Sequence, residues 1–446
     1  SRLGPSILHC LVCRQLTRPV ALAQMVRSSL VAAAVAVGAT VLKSDWPIQC
    51  LSRFDVADQV AVTSSSAALA AEDFGVAVAE AAPFLLVVSP QDTQNAPDAD
   101  WLAQWVENHT AWFREAFFRH GALVFRGFRI PDAAAFERVA LAVNPDLETV
   151  YLGTSPRSQI NGTSYVHTAA DFNPHRTVPV HLEMSFRDEP PRLQIFYASR
   201  LDQHLGGETP LTDFHGVWST LRQKPSFWQR FEDKRIKYIR NNDDCGSLSQ
   251  IDPLVQKCWQ EMFKTDNRTE VLAKCAEESF ECTWDDANRL TMTNLQPFVR
   301  THPESGKKVW FNHINVLHKD SMAYDYERTA VFWGGFRGWW PLFLSLYYRG
   351  LFSLLSLMRS EADLGSATGF EGGALISAAD FWEVKRAIWR NTVQQPYQLH
   401  DIVVVDNLRV GHGREIYTGA KEARRVLTAW SNSYPAKWSS AAGGER

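Results

Sequence analysis

The sequence predicts a mainly β fold with flanking helices (α+β), on three observations. "PRLQIFYASR" (191–200), "DIVVVD" (401–406) and "ARRVLTAW" (423–430) are runs of β-branched and aromatic residues of strand length. Two amphipathic helical patterns, 98–121 and 131–143, precede them. Between lies "VPVHLEMSF" (178–186), an extended apolar run that carries His181 and Glu183 two positions apart. On a strand those two side chains share one face, with Leu182 and Met184 on the other.

Composition excludes several functions. With 446 residues and 45% hydrophobic content the chain can bury a large core, and a net charge of −3 offers no basic field for nucleic acid. Cys245, Cys258, Cys275 and Cys282 have no disulfide-framework or zinc spacing and are expected to be reduced, structural thiols; Cys10 and Cys13 form a lone C-x-x-C. Asn108, Asn161 and Asn267 begin N-x-T sequons, no more than composition delivers by chance.

Residues 1–81 read as a targeting segment and poorly ordered linker. Arg2, Arg14, Arg18, Arg27 and Lys43 stand against a single acid, Asp45, in the first 50 residues. The apolar run from Leu30 to Leu42 follows Met25 and Arg27 and is too short for an ordinary membrane span. A signal peptide or an organellar transit peptide fits, so the compartment stays open.

From Ala82 the pattern is that of a folded domain, 82–435, with a flexible tail at 436–446. Residues 98–121 form one helix with Trp101, Trp105, Trp112, Ala116 and Phe117 near helical spacing and a glycine stop; "ALVFRGF" (122–128) is the next strand. Asp132 caps the helix that follows. "GGETP" (206–210) is a tight turn, and 213–224 and Phe227–Lys237 are helical or mixed. The 401–406 run leads into a loop that carries His412 between two glycines. His181, Glu183 and one further histidine would make the two-His, one-carboxylate set that holds non-haem iron on one face. His412 and His400 flank the same strand and compete for that role.

With His181, Glu183, His412 and Arg425 in this order, and with "HGALVFRGF", "SPRSQINGTSYVHTAADFNPHRTVPVHLEMSF", "GGETPLTD", "FVRTHPESGKKVWFNH" and "VVVDNLRVGHGREIYTGAKEARRVLTAW" around them, the chain resembles the taurine dioxygenase-like (TauD/TfdA) oxygenases, especially their clavaminate synthase-like branch. The resemblance implies a double-stranded β-helix, or jelly roll, with iron at its mouth. It selects His412 over His400 as third ligand. It implies Fe(II), 2-oxoglutarate as cosubstrate and O2, with succinate and CO2 released as a small-molecule substrate is oxidised, by hydroxylation rather than halogenation because Glu183 is present. Arg425 would pair with the distal carboxylate of 2-oxoglutarate, with Arg424 as its alternative since neighbours on a strand face opposite ways, and Thr209 would assist. Asp406 and Asn407 would support the site without binding metal. Arg157, Tyr165, Asn312 and Arg414 are candidates for substrate or support contacts. A metal-dependent cupin-type enzyme without 2-oxoglutarate, or a non-catalytic binding protein, are the alternatives.

One segment departs from the family pattern. Residues 331–360 contain nine aromatic residues, three arginines and no acid. Arg337 and Arg349 interrupt the apolar run, so it is not expected to cross a membrane. It is expected either to lie at a lipid surface or to bury its side chains against protein as a lid or oligomer contact.

Overall fold

The computed structural model describes residues 74–149, 157–169, 172–202, 205–246, 252–255 and 257–438. The suspected targeting segment and Cys10–Cys13 fall outside them, apart from residues 74–81, most of which belong to the first strand.

Seventeen strands are described. In chain order they are β1 (Val76–Ala82), β2 (Leu85–Pro90), β3 (Ala122–Phe125), β4 (His167–Thr168), β5 (Val178–His181), β6 (Leu193–Leu201), β7 (Thr209–Asp213), β8 (Arg235–Asn242) and β9 (Glu281–Trp284). β10 (Leu290–Pro297), β11 (Val299–Thr301), β12 (Lys308–Trp310), β13 (Ser366–Phe370), β14 (Thr392–Gln395), β15 (Ile402–Asp406), β16 (Val410–Arg414) and β17 (Arg424–Ser431) complete the set. A seven-stranded sheet runs β1-β2-β3-β15-β6-β17-β4, and a four-stranded sheet runs β14-β7-β16-β5. Between them lies one apolar cluster, in which Phe196, Val403, Val405 and Val426 of the larger sheet meet Leu211 and Val410 of the smaller. The other face of the larger sheet, with Leu123, Ile195, Val404, Leu427 and Ala429, packs on the N-terminal helices. β6, β15 and β17 are thus apolar on both sides, which is why these runs read as continuous rather than alternating.

The stretch expected to be one helix is two, Ala99–Asn108 and Thr110–His120. Side chains cause the break: His109 Nδ1 lies 2.8 Å from the Trp105 carbonyl and Thr110 Oγ1 donates to Glu107 O at 2.8 Å, competing with the helical ladder. Asp98 caps the first helix, Gly121 at φ +91° closes the second, and Asp132 accepts from Ala135 N at 2.8 Å as the cap of Ala133–Val143.

A third sheet, β13-β8-β10-β9, belongs to the long excursion between β7 and β14. The cysteines around it are paired, Cys245 to Cys258 and Cys275 to Cys282, which corrects the expectation of free thiols. Pairing needs neighbouring Cα positions, and the β8 exit and the β9 entry supply these in a way that sequence spacing does not disclose. The expected flexible tail also starts too early, since Trp438 is buried in the helical core.

Lys319–Leu364 is a separate compact unit among the described residues, wider than the expected 331–360. It holds two helices, Ser321–Trp333 and Trp339–Met358. By length and composition alone, and against the sequence expectation, Gly335–Met358 is long and apolar enough to cross a membrane: an 18-residue stretch of it has a mean hydropathy of 1.3.

Candidate metal centre

β5 and β16 lie side by side in the smaller sheet, with His181 and His412 as direct cross-strand partners. His412 is therefore a strand residue, not a loop residue. Its flanking glycines serve strand packing: a Cβ on Gly411 would meet Phe214 at 2.3 Å and His181 O at 2.9 Å, and one on Gly413 would meet Val178 O at 2.7 Å. Conversely, the strand expected to carry both His181 and Glu183 ends at His181, and Glu183 stands in the following turn. Met184, at φ +51°, is the residue that bends the chain there. Asn407 holds the turn from the far side, its Oδ1 accepting from Glu183 N at 2.6 Å and its Nδ2 donating to Glu183 O at 3.0 Å.

The result is a cluster in which one ligand atom each from His181, Glu183 and His412 lies within 4.8 Å of the others. His181 Nδ1 is 2.9 Å from Pro179 O, so it carries the proton there and Nε2 is left as the donor atom. Burial pushes His412 down to about 4, against hydrogen bonding and charge from Glu183, and so it is a neutral imidazole at pH 7. For Glu183, burial acts to raise the carboxyl, but the Arg157 guanidinium at 2.5 Å and the two histidines outweigh it and hold the group well below the usual carboxylate range. Two imidazoles and one carboxylate on one side of a point are a donor set that fits a divalent first-row metal and leaves its other positions open.

Those positions face a cavity of about 310 Å³ lined by His181, His412, Arg157, Phe196, Thr209, Tyr397 and Arg424 among others. Arg424 and not Arg425 is the arginine that reaches in: its Nη2 donates to Thr209 Oγ1 at 3.1 Å and its Nε to Gly207 O at 2.7 Å. Arg425 is exposed at the rim. In strand alternation Arg424 shares a face with Val426, which belongs to the cluster between the two sheets, whereas Arg425 shares a face with Leu427 and Ala429. Both faces are apolar, so the sequence carried no sign of which is internal. The paired glycines of "GGETP" have φ +80° and +79°, and a Cβ on Gly207 would strike Arg424 Cδ at 2.8 Å. That turn is built to let the arginine past.

The remaining candidates separate. Arg157 stands at the centre, bound to Glu183 and lying over the Trp430 ring. Arg414 lines the cavity, but its guanidinium is donated to the carbonyls of Phe172, Asn173 and Arg176 and clamps that loop. Tyr165 packs instead against the helical core. Asn312 is buried elsewhere, bridging Phe298 O and Ile314 N. His400 lines a different cavity with Trp101 and Phe128. Asp406 is paired with His302 at 2.9 Å and with Tyr434, away from the ligands. Sequence reasoning missed Tyr397, whose ring lies under Arg424 and whose hydroxyl burial pushes up; the polar stretch "QQPYQLH" gives no periodic signal for it.

The chain is similar to known proteins. The chain is 26% identical over 314 residues to the dapdiamide synthesis protein DdaC of Enterobacter agglomerans, spanning 70% of this chain and 83% of that one. It is 25% identical over 358 residues to a clavaminate synthase-like protein of Arabidopsis thaliana, spanning 78% and 94%. Among solved structures, PvcB of Pseudomonas aeruginosa aligns over 80% of this chain and 91% of its own with a TM-score of 0.43 at 14% identity. Residues 89–430, three quarters of the chain, match the model of the taurine catabolism dioxygenase TauD, TfdA family, and the protein belongs to that family of dioxygenases.

Proposed function

We propose that this protein is an Fe(II)- and 2-oxoglutarate-dependent oxygenase that hydroxylates a small molecule and releases succinate and CO2. One observation carries the reading: the His181–Glu183–His412 cluster opens into the same cavity as the Arg424–Thr209 pair. His181, Glu183 and His412 would hold the iron, and bound there it would supply the activation of O2 that is coupled to loss of CO2 from the cosubstrate. Arg424 presents a two-donor fork to the distal carboxylate, with Thr209 Oγ1 beside it and Tyr397 beneath. Phe196 and Val178 wall the cavity and limit water around the reacting centre. The facing seven- and four-stranded sheets, with the ligands at one end of the smaller, support reading the domain as a double-stranded β-helix.

The test is substrate-independent turnover. Purified protein with Fe(II), ascorbate, O2 and 2-oxoglutarate should release succinate, and Glu183→Ala and His412→Ala should abolish it while His400→Ala leaves it intact. Succinate release by Glu183→Ala at the wild-type rate would refute the ligand assignment. No release from folded, iron-loaded wild type would favour a cupin-type metal enzyme that does not use 2-oxoglutarate.

A further inference from the structure

The function proposed above uses no residue of Lys319–Leu364, yet this unit has a surface unlike the rest of the described chain. Its two helices form a hairpin through a turn at Gly334–Gly338. They touch at the turn, where a Cβ on Gly338 would lie 2.4 Å from Ala330 O. Inside the hairpin Tyr326 stacks on Tyr348 with ring centroids 5.5 Å apart. Arg349, the only charge within Trp339–Met358, is bound to Glu327 of the first helix, both largely buried. The charge that interrupts the sequence is thus neutralised within the hairpin.

The outside is apolar where it should be wet. Six of the eight exposed large apolar side chains among the described residues belong to this hairpin, and four gather at its tip: Phe336 (90% exposed), Trp339 (67%), Trp340 (48%) and Phe343 (39%). Arg337 stands exposed among them, and residues 331–360 contain no acid. Aromatic rings and arginine also serve protein interfaces, but here they crown a hairpin whose longer helix is, by length and composition, apolar enough for a bilayer. Tryptophan and phenylalanine around an arginine, with no carboxylate, complement the headgroup region of an anionic bilayer, where aromatic rings settle at the interface and a guanidinium meets phosphate.

We propose that the tip Phe336–Phe343 inserts into one leaflet of an anionic membrane, with Arg337 at the level of the lipid phosphates. The test is flotation of the full chain with vesicles of phosphatidylcholine alone or mixed with phosphatidylglycerol. The wild type should float with the mixed vesicles, less with the neutral ones, and less again at high salt. The triple variant Phe336→Ser/Trp339→Ser/Trp340→Ser should lose about tenfold or more in partitioning, Arg337→Glu should lose the preference for anionic vesicles, and Leu357→Ser/Met358→Ser, at the other end of the helix, should float as the wild type does. All are surface changes, and retained melting temperature and succinate release check the fold; Arg337→Glu alone decides if the triple variant does not fold. Equal flotation of the wild type, the triple variant and Arg337→Glu would overturn the proposal, as would a wild type that stays off the vesicles. A wild-type dimer that the triple variant converts to monomer, with no flotation by either, would also overturn it and assign the tip to a second copy of the chain.

Discussion

Arg424 Nη2 donates to Thr209 Oγ1 at 3.1 Å across 215 residues of sequence, and the side chain reaches that hydroxyl by passing over Gly207, which has no Cβ to obstruct it. Burial lowers the guanidinium from its ordinary value, with the Tyr397 and Tyr417 hydroxyls and the Glu208 carboxylate opposing, and an anionic ligand would add further counter-charge.

Arg424→Ala should therefore raise the KM for 2-oxoglutarate by about thirtyfold or more, since removing one partner of a buried charge pair costs roughly 2–5 kcal/mol. Arg425→Ala, at the exposed rim, should change it little. Uncoupled succinate release against 2-oxoglutarate concentration reads both. A larger effect at Arg425 would reverse the strand facing described above.

Arg157 is the counter-ion of Glu183 in the metal-free protein. Arg157→Ala leaves a buried carboxylate without its cation and should lower the stability of the metal-free protein by about 3–5 kcal/mol. Mn(II), placed between Glu183 and the two histidines, substitutes a charge for the one removed. Its stabilisation of the variant in thermal melts should exceed its stabilisation of the wild type; an equal shift in both would show that Arg157 does not neutralise Glu183.

Acid should weaken the metal-free fold before the carboxylates titrate. Burial lowers His412 to about 4 and His313 to about 3, both from 6.5. Between pH 6.5 and about 4 the unfolded chain thus binds more protons than the folded one, and stability falls as pH falls through that window. Melting temperatures of the metal-free protein should decline steadily from pH 7 to pH 4.5. His313→Phe removes one of the two groups and should flatten the decline; an unchanged slope would mean that His313 is not buried neutral.

The two crosslinks close short loops, with separations of 13 and 7 residues. Cys258→Ser and Cys282→Ser should each cost about 2–3 kcal/mol, and peptide mapping without reductant should recover Cys245 with Cys258 and Cys275 with Cys282. Free thiols at all four positions in protein purified without reductant would rule the pairing out.

The sequence by itself determined the strands β6, β15 and β17, the cap at Asp132, and the family, because these rest on local propensity, hydrogen bonds within a turn, and residues in a fixed order. It also singled out His181, Glu183 and His412, whose chemistry is unusual in an apolar setting. Tertiary structure decided the rest. Which of Arg424 and Arg425 points inward depends on which apolar face of β17 meets the smaller sheet, and a strand buried on both faces has no polar side to mark it. Glu183 lies beyond its strand because Asn407, 224 residues away, grips both its backbone N–H and its carbonyl. Cysteine pairing depends on Cα proximity, which the chain leaving β8 provides for Cys245 and Cys258 and the helix before β9 for Cys275 and Cys282. The charge of Arg349 vanishes only when the hairpin sets it against Glu327. In each case the deciding contact lies outside the local pattern of residue types, and only folding brings the groups near enough for sterics and charge to act.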